Sequence, residues 1–404
     1  MSGKVTCLLT IHGIGFQQPP VGDVPGYADG LHANLKAHLL DLLSDDPGRQ
    51  RTRPGEGTIY VQSEYPTGSG NRDQGLRRLG QWDQTRRTIN TKDAPLVDQA
   101  HTETDCLAHV ALVYSNLEDV DAAHRGSAVD AVVRSVFACG RYLSITSSPG
   151  WVGRVVRGFR RGGPTLAAGP SLRVRADIKG LRRKAAAGQP VRPNSAPPDG
   201  GLGATIVHLQ NDVCAYVCRN DLRVRVRAFV AEALFRLCSR DDVAGVVINA
   251  HSQGTVAAYD VVRGLPPVMA AKVRVIYSYG SPLRKYLDLF AWGNDAGILT
   301  GIPWINVWDP ADPVADPLRP GPRWKAGMRV PDHPAPPTLF QFRDPEGGNP
   351  ADLANLVDRP VNNLANSQGG GLRAHNYWDN TAEVVSPMAE DLRKLVGVAV
   401  PILQ

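Results

Sequence analysis

Ser252 lies in the stretch VAGVVINAHSQGTVAAYD, residues 243–260. An apolar run from Val243 to Ile248 breaks there at Asn249-Ala250 and resumes as Thr255-Val256-Ala257-Ala258-Tyr259. The first run reads as a buried strand and the second as the opening of a helix, with the serine at the tip of the turn between them. A strand, a tight turn and a helix are what lift a serine hydroxyl clear of a sheet as a nucleophile. The spacing is small-x-Ser-x-Gly, with Ala250 where glycine is usual and Gly254 closing the turn. Alanine is the mildest replacement, because that position needs a small side chain more than a positive φ. The plainer reading is a serine in an ordinary strand–helix turn.

A serine hydroxyl is a weak nucleophile unless a base lies within hydrogen-bond reach and a third group fixes that base. Acids follow the apolar run WINVW at 304–308, in DPADPV at 309–314. Asp312 is preferred over Asp309 because the acid must reach sideways to a histidine on another loop. Asp316 is a weaker third choice, and turn capping beside proline is the plain role for all three. For the base, His375 in LRAHNYW is favoured over His333 in PDHPAPP. His251 adjoins the serine, but its side chain leaves the turn in another direction. The order Ser252, Asp312, His375 is the chain order of one hydrolase architecture.

Acyl transfer also needs backbone donors for a developing oxyanion. One is the N–H of Gln253. The other comes from His12-Gly13-Ile14-Gly15, with Ile14 the preferred donor and Gly13 the alternative. His12 reads as a brace for that loop rather than a ligand or base.

The elements that must position these groups follow from apolar patterning. VTCLLTI at 5–11 reads as a central strand, and residues 27–43 as a helix with Leu31, Leu35, Leu39 and Leu42 on one face. Thr58–Tyr65 is expected to hold the next strand. Residues 66–101 read as a polar, arginine-rich excursion anchored by Trp82. Leu107–Leu117 and Ala122–Cys139 have helical spacing, and Ile206–Leu237 reads as one or two helices feeding the strand before Ser252. Val273–Tyr279 and Trp304–Trp308 are further parallel-type strands, and Leu283–Trp292 is a possible helix. Residues 315–370 read mostly as loop, with a strand at Thr338–Phe342, and Glu383–Val398 as a closing helix. In a mostly parallel sheet the strand C-termini share one edge, which brings Asp312 towards Ser252.

Residues 151–194 differ in kind: eleven Lys/Arg stand against the single acid Asp177. Trp151, Val152, Val155, Val156 and Phe159 lie opposite Arg154, Arg157 and Arg161 on a short potential helix, interrupted by Gly162-Gly163-Pro164. A mobile basic insertion is the plain reading. Peripheral contact with an anionic membrane is the functional one. No nucleic-acid motif accompanies the charge, so no nucleic-acid partner is expected.

With 404 residues, 42% hydrophobic and 21% charged, the chain is long enough for a large core and ordinary for a globular protein. Its net charge of +6 is modest. No apolar stretch approaches the roughly 18–20 residues of a spanning helix, and MSGKVTCLLTIHG reads as a strand rather than a signal peptide. The six cysteines, Cys7, Cys106, Cys139, Cys214, Cys218 and Cys238, sit mostly in apolar runs. They read as buried thiols in a reducing, cytoplasmic setting, with no metal site or disulfide scaffold.

IHGIG at 11–15, NAHSQG at 249–254, DPADPV at 309–314 and HNYW at 375–378 together resemble the α/β-hydrolase-fold serine hydrolases of the esterase and lipase type. The resemblance implies an α/β fold: a mostly parallel central sheet flanked by helices, with a large helical and basic insertion between the early strands and the nucleophile turn. Residues 1–65 would form the first part of the core, 66–200 an inserted or cap-like region, and 201–404 the second part. It also implies Ser252, Asp312 and His375 as nucleophile, acid and base, and the backbone around Ile14 and Gln253 as oxyanion donors. Carboxylic esters, including acyl lipids, would be cleaved through an acyl-enzyme with no cofactor or metal. An acyltransferase or thioesterase would use the same residues. A non-catalytic scaffold acting through its insertion is the reading from another class.

Overall fold

The computed structural model of the chain describes residues 3–13, 19–20, 25–48, 57–63, 75–114, 216, 220–284, 286, 301–312, 314–318, 341–342, 351–352, 355–367 and 373–396. Ile14, His333, the basic stretch 151–194, Ala122–Cys139, and Cys214 and Cys218 lie outside these residues.

The chain opens with β1 (Val5–Ile11), buried at every position. It continues into α1 (Asp29–Leu39), where Leu31, Leu35 and Leu39 repeat every four residues and are buried together. Each such leucine contributes about 1.5–3 kcal/mol relative to exposure. Leu40, at φ 49, ends the helix. The short β2 (Leu43–Ser44) and β3 (Ile59–Gln62) follow, then a hairpin of β4 (Gln81–Asp83) and β5 (Thr88–Asn90).

Next comes β6 (Cys106–Val113), a strand buried throughout. The helix expected over Leu107–Leu117 is therefore replaced by a core strand. A strand covered on both faces is apolar at every position, and such a run fits helical spacing by accident.

The second half carries α2 (Asn220–Ser239), β7 (Val243–His251), α3 (Gly254–Val262), the single-turn α4 (Pro267–Ala270), β8 (Val273–Tyr279) and β9 (Trp304–Trp308). It closes with β10 (Gln341–Phe342), β11 (Ala351–Asp352), β12 (Leu356–Pro360), the single-turn α5 (Asn363–Asn366) and α6 (Ser386–Leu395). The strand β12 falls in the stretch 315–370, where the sequence pattern predicts mostly loop. Its Asp358, Arg359 and Pro360 suit an edge position, where one side of the backbone needs no partner.

Eight strands form one sheet in the order β12-β9-β8-β7-β1-β6-β2, with β3 also paired to β6. Every pairing in it is parallel. This is the α/β-hydrolase topology, with insertions between strands. Alternate residues of β1 serve opposite faces. Cys7, Leu9 and Ile11 pack with Phe229, Val230 and Leu234 of α2 and with Val256 and Val261 of α3. Leu8 packs with α1 and with Met388 and Leu392 of α6. From β1 the chain goes first to β2 and β3 on the far side of β6, comes back to fill β6 beside β1, and then crosses β1 to start β7. The β1–β7 boundary is thus the point where strand order reverses, the usual place for a ligand crevice.

The excursion at 75–101 is not anchored by Trp82, which is 41% exposed and meets only the Phe235 ring among aromatic neighbours described. Two arginines near the end of α2 hold it. Arg236 donates to the Gly80 carbonyl at 2.9 Å, and the fully buried Arg240 donates to the carbonyls of Leu79 and Ala94, both at 3.0 Å. Asp242 takes the remaining face of the Arg240 guanidinium in a two-point pair at 2.8 and 2.6 Å. Among the described residues, no helix is long and apolar enough to cross a membrane.

Candidate active site

Ser252 follows the last residue of β7 and adopts φ 54, a left-handed conformation that side chains disfavour by roughly 1–2 kcal/mol. Neighbouring bonds hold it there. Its N–H donates to the Tyr279 carbonyl at the end of β8, 2.8 Å away. Its own carbonyl accepts from the Thr255 N–H at 3.0 Å and the Thr255 hydroxyl at 2.8 Å. Strain kept by an over-determined setting points to a functional turn.

Ala250 lies fully buried in β7, opposite Ile11 and Ser278, and is not at positive φ. An alanine therefore fits without strain. The tight position is Gly254, where a β-carbon would collide with the Ile11 carbonyl.

His375 sits in the single turn Arg373–His375. Its Nδ1 lies 2.7 Å from Asp312 Oδ2, and the Asp312 side chain is wholly buried. The Tyr377 hydroxyl donates to the same oxygen at 2.9 Å, and the Val314 N–H donates to Oδ1 at 2.9 Å. A carboxylate oxygen accepts here, so a neutral His375 ring carries its proton on Nδ1 and leaves Nε2 as the acceptor. That Nε2 is buried, with no partner among the described residues.

The ring lies against Gly280, which directly follows the strand that receives the Ser252 N–H. A β-carbon on Gly280 would come within 2.6 Å of His375 Cε1, and its φ of 59 also favours glycine.

The rival acids are placed differently. Asp309 Oδ2 accepts from the N–H groups of Asn363 and Leu364 at 2.6 and 3.2 Å, and its Oδ1 from Ala311 at 2.6 Å. Its carboxylate is committed to backbone at the start of α5. Burial raises its pKa, partly offset by those bonds. Asp316 donates its N–H to the Ser281 carbonyl at 3.3 Å and accepts at its own carbonyl from Asn306.

Among the described residues nothing accepts from the Gln253 N–H. Its side chain is fixed by the Tyr286 hydroxyl, 2.7 Å from Oε1. Gly13 lies directly against it: a β-carbon there would sit 3.2 Å from the Gln253 nitrogen and 3.3 Å from Ser252 Cβ. The Tyr114 hydroxyl donates to the His12 carbonyl and holds the loop from the β6 side.

Two contributors escaped sequence reasoning. Tyr377 bridges the acids, because its oxygen also accepts from the Asp309 N–H at 2.9 Å. The only sequence signal was its position two residues after His375. His251 joins His12 to the His375 backbone, which no local pattern announces. Burial, with His375 and His12 acting the same way, pushes the His251 pKa well below the ordinary imidazole value. Burial is also the main cause that lowers His12 to about 4.

Among the described residues, no group of three or more His, Cys, Asp or Glu side chains is placed to hold a metal ion. Cys7, Cys106 and Cys238 are buried free thiols, each with its pKa raised chiefly by burial. Comparison of the chain with protein-family models, curated proteins and solved structures finds no match.

Proposed function

We propose that the chain is a serine hydrolase that cleaves carboxylic esters, with Ser252 as nucleophile, His375 as base and Asp312 as the group that orients it. The observation that carries this reading is the left-handed Ser252 at a strand–helix turn on the sheet edge that also carries the Asp312–His375 pair. In the first step the Ser252 hydroxyl proton passes to His375 Nε2 as Oγ bonds to the ester carbonyl carbon. The oxygen that gains the negative charge is met by the Gln253 N–H and by the backbone of the Gly13–Ile14 turn. Collapse breaks the bond to the alcohol oxygen, which leaves with the proton from His375. Water then repeats the sequence on the acyl-enzyme, releasing the acid and regenerating Ser252. Acyl transfer to another acceptor, or cleavage of a thioester, would use the same residues.

The test is covalent labelling by a fluorophosphonate, together with turnover of short- and long-chain p-nitrophenyl esters, in wild type and Ser252→Ala. Labelling and turnover are expected only in wild type, and equal labelling of both proteins would remove the assignment. The basic stretch 151–194 is further read as a contact for anionic lipid, on its charge alone. Its deletion is expected to abolish salt-sensitive sedimentation with anionic liposomes, and unchanged binding would reject that role.

A further inference from the structure

His251 occupies the position between the two halves of the site. Its ring centroid lies 4.6 Å from that of His12 and 4.6 Å from that of His375, with Trp378 at 5.2 Å and Tyr377 at 5.9 Å. Its Nε2 is 3.0 Å from the His375 carbonyl oxygen, and its Nδ1 is 2.9 Å from His12 Nε2. His12 directly precedes Gly13, the residue packed on the Gln253 nitrogen.

The proton positions follow from what each partner can do. A carbonyl oxygen only accepts, so His251 Nε2 must carry a proton. In a neutral ring, Nδ1 is then an acceptor, and His12 Nε2 must donate to it. The alternative places the His12 proton on Nδ1, facing the Gly13 carbonyl at 3.2 Å. That arrangement would set two lone pairs against each other across the 2.9 Å contact, whereas the first sets the His12 Nδ1 lone pair against the Gly13 carbonyl only at 3.2 Å, so the first is favoured. Both rings are held neutral by burial, which agrees with it.

We propose that His251 is a positioning residue, and that a single tautomer of its ring locks the His375 main chain to the His12-Gly13 turn. The inference rests on the hydrolase reading of Ser252 and His375. The base and the oxyanion donors lie on loops far apart in sequence, and both must meet one substrate carbonyl. Asp312 fixes the His375 ring from one side, whereas His251 fixes the backbone that carries it. One imidazole thereby sets the spacing between the proton acceptor and the Gly13 turn.

The experiment compares His251→Phe, which keeps a planar ring without hydrogen bonds, with His251→Gln, whose side-chain amide can replace the Nε2 donor. With p-nitrophenyl acetate as probe, His251→Phe is expected to lower kcat by about 10- to 100-fold, the scale of a small misplacement of catalytic groups. KM should stay within about threefold, since only groups aligned in the transition state are disturbed. His251→Gln should recover most of the loss. Wild-type kcat in the phenylalanine variant, or equal loss in both variants, would overturn the proposal.

Should the phenylalanine variant not fold, imidazole ¹⁵N shifts of the wild-type protein decide. A protonated Nε2 and bare Nδ1 at His251 are expected, and the reverse tautomer would refute the lock. A Ser252→Ala control separates the two levels. Retained turnover in that variant removes the hydrolase reading itself, whereas its loss beside a fully active His251→Phe removes only the role of His251.

Discussion

Tyr377 and His375 share one oxygen of Asp312: the phenol lies 2.9 Å and the imidazole Nδ1 2.7 Å from the same Oδ2. The phenol also accepts from the Asp309 N–H, so a single hydroxyl ties together both acids that the sequence left in competition. Tyr377→Phe would leave that buried N–H without an acceptor and Asp312 with one donor fewer. Such losses cost about 2–3 kcal/mol when a charged partner is involved. Urea unfolding should show a drop of that order, accompanied by a several-fold fall in kcat. Unchanged stability and turnover together would show that the hydroxyl is dispensable.

The two aspartates should separate cleanly. Asp312→Asn keeps the shape but no longer requires the proton to sit on His375 Nδ1, and kcat should fall by about 10⁴-fold while folding is largely retained. Asp309→Asn weakens acceptance from the first backbone groups of α5, with an expected loss of about 1–2 kcal/mol. Ser252 in that variant should still be labelled by a fluorophosphonate. The opposite pattern, activity lost at 309 and kept at 312, would reassign the acid.

Stability should rise with pH across the range set by the lowered histidines. Unfolded histidines bind protons near 6.5, whereas folded His12 does so only near about 4, and folded His251 also lies well below the ordinary value. Between those limits the unfolded chain holds more protons. The stabilisation is therefore complete above about pH 6.5 and is lost as pH falls towards 4. Urea midpoints between pH 7.5 and 4.5 would measure this. A midpoint that stays flat or rises on acidification would contradict the buried, neutral state of these rings.

Glycine content in the turn can be tested from both sides. Ala250→Gly restores the common pattern, yet Ala250 sits in extended, fully buried strand. The change should lower stability by about 0.5–1 kcal/mol and leave Ser252 labelling intact. Gly254→Ala drives a methyl into the Ile11 carbonyl. It should cost more than about 2 kcal/mol and slow labelling sharply. Equal tolerance of both substitutions would mean that the helix does not press on β1 at Gly254.

The parts legible from sequence were those with local signatures. Val243–His251, Val273–Tyr279 and Trp304–Trp308 are apolar runs bounded by turn residues, and all three are strands. Ser252 stood out because its strand and helix flank it directly. By contrast, β6 was hidden because double-sided burial erases the two-residue period. The edge strand β12 was hidden because Asp358 and Arg359 interrupt its apolar pattern. Placement of Asp309 depended on α5, more than fifty residues later in the chain, whose opening N–H groups it caps. The tie between His12 and His251 spans 239 residues and reflects only the adjacency of β1 and β7. Such contacts belong to topology and leave no mark on spacing.

Arg236 and Arg240 hold the 75–101 lobe by the main-chain oxygens of Leu79, Gly80 and Ala94. They grip a path rather than particular letters. The exposed tip of the hairpin, with Thr85, Arg86 and Arg87, supplies none of those three carbonyls. The lobe is thus a socket with an interchangeable head: an epitope or a foreign peptide could be grafted across the tip while the parallel sheet keeps its register.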